Sequence, residues 1–272
     1  MDRGNDPRLW WGRHDHHHFS LQMTGDLLAD LPLGRNVHVI DHHPSGLLAL
    51  HKPEGILSHP NRTSDRSKCL LEAEYDLDRQ IYLWKDNGGE RQIHLLHRLD
   101  SPTSGIILLS CDSQLAEQVR TIFSERRVSK TYHALAQENG PGRNQTWKDK
   151  LEVTRQDGKL RVKCSPRGIE AITKVHFERQ RVGRKGLSLL RLEPTTGITH
   201  QLRVQAARNG FPIVGDRTYG DFALNRRIGR DKKARRLFLH ASQIALKLHW
   251  NGQQVTFQAE SALPRAFGKL MA

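Results

Sequence analysis

The chain has 272 residues, enough for one large domain or two small ones, and carries 43 Lys and Arg against 29 Asp and Glu, a formal charge of +14. That surplus exceeds what solubility requires and points to a polyanionic partner, nucleic acid first. Three well-separated cysteines, Cys69, Cys111 and Cys164, exclude a disulfide framework or a four-ligand zinc site, and no apolar run nears the roughly 18 residues that cross a bilayer.

Residues 1–35 lack periodicity and include His14-Asp15-His16-His17-His18; without a second ligand cluster nearby they read as an irregular solvated tail, not a metal site. A single domain is expected over 36–272. Short apolar runs predict strands at Leu47 to Leu50 and Ile106 to Leu109. Asp112 or Ser113 can cap a helix in which Leu115, Val119, Ile122 and Phe123 recur at helical spacing, ending in Glu125-Arg126-Arg127. Lys130 to Gln137 alternates as a half-buried strand does, Asn139-Gly140-Pro141-Gly142 reads as a loop, and Ile172 to Phe177 alternates again. After a strand at Leu187 to Leu192, a second helix is expected from Thr199 to Asn209, with Gly210 in the left-handed terminal position and Pro212 blocking continuation. Strands at Leu237 to Ala245 and Val255 to Gln258 complete the series. Many strands and few helices, without regular βαβ alternation, predict an α+β fold: a mostly antiparallel mixed sheet, flanking helices and a cleft across the sheet.

The sharpest motif is His97-Arg98-Leu99-Asp100-Ser101-Pro102-Thr103-Ser104-Gly105, which sets Arg98 and Asp100 on one side of an extended chain just before an apolar strand. Pro102 and Gly105 bracket a tight turn, so the carboxylate is expected on a shaped loop over a rigid element. Alone, the stretch also fits a surface Arg–Asp pair in a turn. Further segments follow in order: Lys52-Pro53-Glu54-Gly55 before it, then Lys130-Thr131-Tyr132-His133-Ala134, Gly197-Ile198-Thr199-His200-Gln201-Leu202-Arg203, Pro212-Ile213-Val214-Gly215-Asp216, Tyr219-Gly220 and Leu237-Phe238-Leu239-His240-Ala241.

This ordered series, over about residues 37 to 260, resembles the RluA branch of the RNA pseudouridine synthases. The resemblance implies an isomerase of tRNA or rRNA that needs no metal or organic cofactor. It matches Asp100 to the essential aspartate, Tyr132 to the tyrosine that packs on the flipped base, and Arg203 to the aspartate's arginine partner. Arg98 matches the residue that extrudes the base or fills its place, and Leu239 an apolar wall of the base pocket; His97, Thr103 and His200, in the matching motifs, are expected at the substrate.

The chemistry supports those matches. A carboxylate nucleophile must stay ionised in a site dry enough for a base, and an arginine offsets its desolvation. An aromatic face stacks on a base, worth about 1 to 3 kcal/mol, and tolerates the base turning in its plane. A uridine must leave its stack for the glycosidic bond to be reached, and a wedge such as Arg98 helps offset that cost. Taken singly, Tyr132 also fits an ordinary strand aromatic and Arg203 a solvated helix charge.

Two positions depart from the family pattern, Ile198 where arginine is usual and Gln205 where histidine is frequent. No separate N-terminal RNA-binding domain fits the first 35 residues, so the domain itself should bind RNA, as a monomer in the reducing cytoplasm and without a membrane. The run Asn225 to Arg236, with seven basic residues in twelve and including Arg226 and Arg227, is the candidate loop for phosphate contacts. A zinc deaminase is excluded: His176-Phe177-Glu178 fits half its signature, but no cysteine follows Cys164. The remaining alternative is an RNA-binding chaperone that keeps the fold without turnover.

Overall fold

The computed structural model describes residue 28 and residues 30–272 apart from 87–88, 139–141, 157–158, 183–185 and 231–234. The expected tail with His14 to His18 lies outside the described residues, as do Asn139, Gly140 and Pro141 of the expected loop.

Strands β1 (His38–His42), β2 (Leu47–Lys52), β3 (Glu74–Asp76), β4 (Ile81–Asp86), β5 (Gly89–Leu95) and β6 (Ser104–Ser110) precede helix α1 (Ser113–Ser124). Then come β7 (Ser129–Gln137), β8 (Gln145–Gln156), β9 (Lys159–Cys164), β10 (Ile169–Val182) and β11 (Leu187–Pro194). Helices α2 (Gln201–Arg208) and α3 (Phe222–Gly229), strands β12 (Leu239–Trp250) and β13 (Gln253–Glu260), and helix α4 (Arg265–Met271) complete the described chain. Among the described residues the strands form one sheet of thirteen, in the order β3-β4-β5-β6-β12-β7-β11-β10-β8-β9, with β2 also on β6, β1 on β2 and β13 on β12. The pairings are antiparallel except that of β12 with β6, so the expected α+β class with a mostly antiparallel mixed sheet is borne out.

β6 joins the two halves of this sheet. From Gly105 to Ser110 it pairs with β2, while its other edge is shared: His94 and Leu95 of β5 take its end, and His240 and Ala241 of β12 take its start at Ser104 and Gly105. Its apolar run is explained by burial on both faces, since Ile106 and Leu108 pack with Leu47, Ala49 and α1, and Ile107 and Leu109 with Leu48, Leu50, Tyr82 and Ile93. α1 supplies Leu115, Ala116, Val119 and Ile122 to that core, and its cap is Asp112, whose Oδ1 accepts from the Leu115 amide at 2.8 Å.

Gly105 makes the parallel junction possible. It sits at φ +121°, and a Cβ there would lie 2.2 Å from the Ala241 carbonyl oxygen. Gly105→Ala should therefore cost about 3 kcal/mol or more, through backbone strain and the clash together. Urea unfolding monitored by circular dichroism checks this; an unchanged midpoint would show that the junction yields easily.

The second helix starts two residues later than its sequence suggests, because His200 adopts a left-handed φ of +56° ahead of it. Gly210, at φ +83°, closes it as expected, and the Phe211 amide donates back to Ala206 O at 2.8 Å. The basic run is not wholly a loop: Asn225 to Gly229 belong to α3, capped by Asp221 through the Leu224 amide at 2.8 Å. Leu224 and Ile228 bury one face of α3 and leave Arg226 and Arg227 exposed on the other.

Candidate active site

Asp100 lies in the crossing from β5 to β6, where its carbonyl accepts from the Thr103 amide at 2.9 Å to close the expected turn. The turn is fixed from below by groups outside the motif. Ser58 Oγ accepts from Leu99 N at 3.0 Å and donates to Leu99 O at 2.8 Å, and Tyr82 in turn donates to Ser58 O at 2.6 Å. Lys52, 0% exposed, donates to the carbonyls of Pro53 (3.0 Å), Ile56 (2.8 Å) and Ser101 (3.0 Å), using all three ammonium hydrogens. Burial pulls its pKa down to about 7, while the charges of Asp100 and Glu54 act in the other direction. Asp100 is thus held at its backbone, with its carboxylate turned into a cavity of about 590 Å³.

Across that cavity, Arg203 from the first turn of α2 donates through Nη1 to Asp100 Oδ2 at 3.0 Å. Its other edge is fixed by Asp216, which accepts from Nε at 2.7 Å and Nη2 at 2.9 Å. The backbone amides of Thr218 (2.8 Å) and Tyr219 (3.0 Å) complete the Asp216 carboxylate. Burial pushes the pKa of Asp216 up, but the bonds and charge of Arg203 and the two amides outweigh it and leave the group below its ordinary value. The fork of Arg203 is therefore oriented by one buried carboxylate and presented to a second, partly open one. Tyr219 lies beneath it, its ring centroid 5.2 Å from the guanidinium carbon.

His200 Nε2 is 3.6 Å from Asp100 Oδ2, and its Nδ1 is 2.8 Å from the Tyr219 hydroxyl, which also accepts from the Val162 amide of β9 at 3.0 Å. Burial lowers the His200 pKa, opposed by Asp100 and reinforced by Arg203. Tyr132 comes from β7, paired with Ala241 of β12 on one side and Leu192 of β11 on the other. Burial first, and then the Asp100 charge, push its phenol pKa up.

Asp100, Tyr132, Arg203, Arg98, Leu239, His97, Thr103 and His200 all line the one cavity. Arg98 is exposed at the mouth, with Nη1 3.3 Å from His59 Nε2; the His59 ring stacks on Tyr75 at 4.9 Å. His97 is a structural wall as well as a lining group: its Nε2 accepts from the Leu108 amide at 3.1 Å, and burial pushes its pKa down to about 3. Arg226 and Arg227 lie on α3 and do not line the cavity. Of the departures, Ile198 packs against Leu151, Val162, Ala171 and Val204 at the cavity wall. Gln205 is a buried tie that accepts from Thr173 Oγ1 at 2.7 Å and donates to Asp149 Oδ2 at 2.9 Å and Ala171 O at 3.1 Å. Asp216, Tyr219 and Lys52 stand in the ordered motifs with nothing local to mark these roles, and His59 lies outside those motifs.

Chemically the cavity offers an anionic oxygen, a cation fixed beside it, a buried phenol and an apolar wall, with one rim open to solvent. Among the described residues no group of three metal-ligating side chains converges, and no helix is long and apolar enough to cross a membrane.

Residues 46–208 match the family model described as RNA pseudouridylate synthase. The tRNA pseudouridine synthase C of Vibrio vulnificus (strain CMCP6) is 30% identical over 225 residues, covering 78% of this chain and 86% of the relative. An uncharacterized RNA pseudouridine synthase of Zymomonas mobilis is 34% identical over 186 residues, covering 67% of this chain and 78% of the relative. Among solved structures, human RNA pseudouridylate synthase domain containing 4 superposes with a TM-score of 0.57 at 24% identity, over 92% of this chain and 95% of that one, a likeness of fold.

Proposed function

Because the chain belongs to the RNA pseudouridylate synthase family and is an RNA-modifying isomerase, we propose that it converts a uridine of tRNA to pseudouridine with Asp100 as the catalytic carboxylate. The observation that carries the residue assignment is the 3.0 Å contact of Asp100 with an arginine already oriented by Asp216. The choice of tRNA follows the relatives named tRNA pseudouridine synthase C.

The uridine leaves its stack and enters the cavity, and Arg98 at the mouth occupies the place it vacates. Asp100 attacks or otherwise activates the nucleoside, the bond from ribose C1′ to uracil N1 breaks, and Arg203 keeps the carboxylate aimed. The freed uracil turns against the face of Tyr132, with Leu239 and Thr103 as walls and His97 and His200 beside it. C1′ then bonds to C5, displacing the Asp100 carboxylate where it had attacked; the C5 proton is lost and N1 gains one, so the product is an isomer. Phosphate contacts outside the cavity come from the domain over 36–272 itself, with exposed Arg226 and Arg227 of α3 as candidates. The reading places a monomer in the cytoplasm, and the three free thiols fit a reducing compartment. Asp100, Arg203 and Tyr132 meeting in one cavity disfavours the chaperone alternative, which has no use for a carboxylate facing RNA.

Release of tritium from RNA labelled at uridine C5 tests this reading, using unmodified tRNA and rRNA separately. Release from tRNA alone is expected. Release from rRNA alone would overturn the substrate assignment, and none from either RNA, with binding intact, would overturn the isomerase.

A further inference from the structure

Lys130 precedes Tyr132 by two residues on β7, so both side chains leave the strand on the same face and both line the cavity. Its ammonium group donates to Thr196 O at 3.1 Å, and among the described residues no carboxylate is ion-paired with it. Lys52 uses three carbonyls to satisfy the same three hydrogens, so Lys130 keeps donor capacity that the protein does not consume. Burial alone pulls its pKa down to about 8, with no neighbouring anion to offset the cost of holding a charge there.

The position of that unused charge is informative. A second cavity of about 310 Å³ adjoins the first and shares Phe123, Lys130, Thr196, Gly197 and Ile198 with it, so Lys130 stands at the junction. Gly197 leaves the ammonium uncovered: a Cβ there would already lie 3.8 Å from Nζ. Arg126, exposed at the end of α1, and Glu170 of β10 line the second cavity, and His97 is the other charge-capable group beside Lys130.

We propose that Lys130, with Arg126 at the outer rim, forms a subsite for an RNA phosphate flanking the target uridine, so that the strand leaves the catalytic cavity through the second groove. This rests on the RNA isomerase reading. The substrate phosphate supplies the anion that the protein withholds, and Lys130 acts as a positioning residue. Its ammonium is charged below about pH 8 in the free enzyme and is lost above it, so phosphate binding should weaken as pH rises through 8. His97 stays neutral in that range, since its pKa lies at about 3, and arginine stays charged.

The test is equilibrium binding of unmodified tRNA to wild type, Lys130→Met and Lys130→Arg between pH 7 and 9 and over a salt series, beside tritium release. Lys130→Met should bind about tenfold more weakly at pH 7, with a slope of log affinity against log salt shallower by about 0.7 to 0.9 and no fall in affinity above pH 8. It should also unfold no earlier than wild type, because an unpaired buried charge has been removed. Lys130→Arg should keep the wild-type affinity at pH 7 without the decline above pH 8. Unchanged affinity and salt slope in Lys130→Met would overturn the proposal, as would a loss of turnover at saturating RNA with KM unaltered, which would put Lys130 on the uracil. Wild-type binding that depends on Lys130, without any tritium release, would support the subsite and sink only the isomerase reading.

Discussion

Asp100→Asn is expected to lower tritium release from uridine-labelled tRNA by about a thousandfold or more while leaving the protein folded and bound to RNA. The substitution is nearly isosteric, and Asp100 is held by its backbone turn, with Lys52 on Ser101 O and Ser58 on Leu99, so the loop should not move. An amide oxygen can still accept from Arg203 Nη1, but it offers neither a nucleophilic anion nor the charge that Arg203 is oriented to meet. With its side chain 25% exposed, Asp100 can lose its charge without stranding it inside the core, so the thermal midpoint should stay near that of wild type. RNA affinity should be kept or slightly raised, since an anion is removed from a chain of net charge +14. Release above about a tenth of the wild-type rate would remove Asp100 from the chemistry.

The fold was legible where burial writes itself into composition. β2, β6, β11 and β12 are buried on both faces along much of their length, so each shows as an apolar run, and the alternation at Ile172 to Phe177 reflects buried Thr173 and Val175 on one side of β10. β8 and β9 left no such trace. Their strands carry Lys148, Lys150, Lys163 and Arg161 between the few residues that face inward, and Val153 and Leu160 are themselves exposed, so the pattern is polar although the pairing is regular. α3 was hidden by its own arginines: only Leu224 and Ile228 are buried in it, too few for a periodic signal within a basic run.

The site was legible where one motif brings its own scaffold. His97 to Gly105 holds the carboxylate, the turn and the start of β6 in nine residues, and the motifs containing Tyr132, Arg203 and Leu239 reach the same cavity. What stayed hidden depends on distance in sequence. Lys52 and Ser58 act on residues more than forty positions away, and nothing local in a lysine before a proline says that it will be 0% exposed. Asp216 is thirteen residues from Arg203, across the end of α2 and a turn, and no helical or strand period links the two. Ordered motifs thus recovered the groups that face the cavity and missed the groups that hold them.

Asp216→Asn should destabilise the protein by about 3 to 5 kcal/mol and lower turnover together. The Asp216 side chain is 1% exposed and that of Arg203 6%, and the carboxylate accepts four hydrogen bonds, two from the guanidinium and two from backbone amides. An asparagine turns one acceptor into a donor and leaves the buried guanidinium with Asp100 as its remaining carboxylate. Arg203 should then shift toward Asp100, so residual activity should show a lower kcat with little change in KM. The pH dependence has a definite sign. The Asp216 pKa is depressed in the folded state, so its contribution is present above the unfolded value and is lost as pH falls through the folded one. Wild type should therefore lose stability on the acid side, while Asp216→Asn, already without that contribution, should show a flatter acid limb. If the pair is a structural hinge for the arginine, Arg203→Met with Asp216→Asn should be less destabilised than Asp216→Asn alone, because no buried charge is left uncompensated. Urea unfolding of wild type, Asp216→Asn, Arg203→Met and the double variant across pH separates these cases: a double variant as unstable as the sum of the singles would mean that Arg203 and Asp216 stabilise the fold independently.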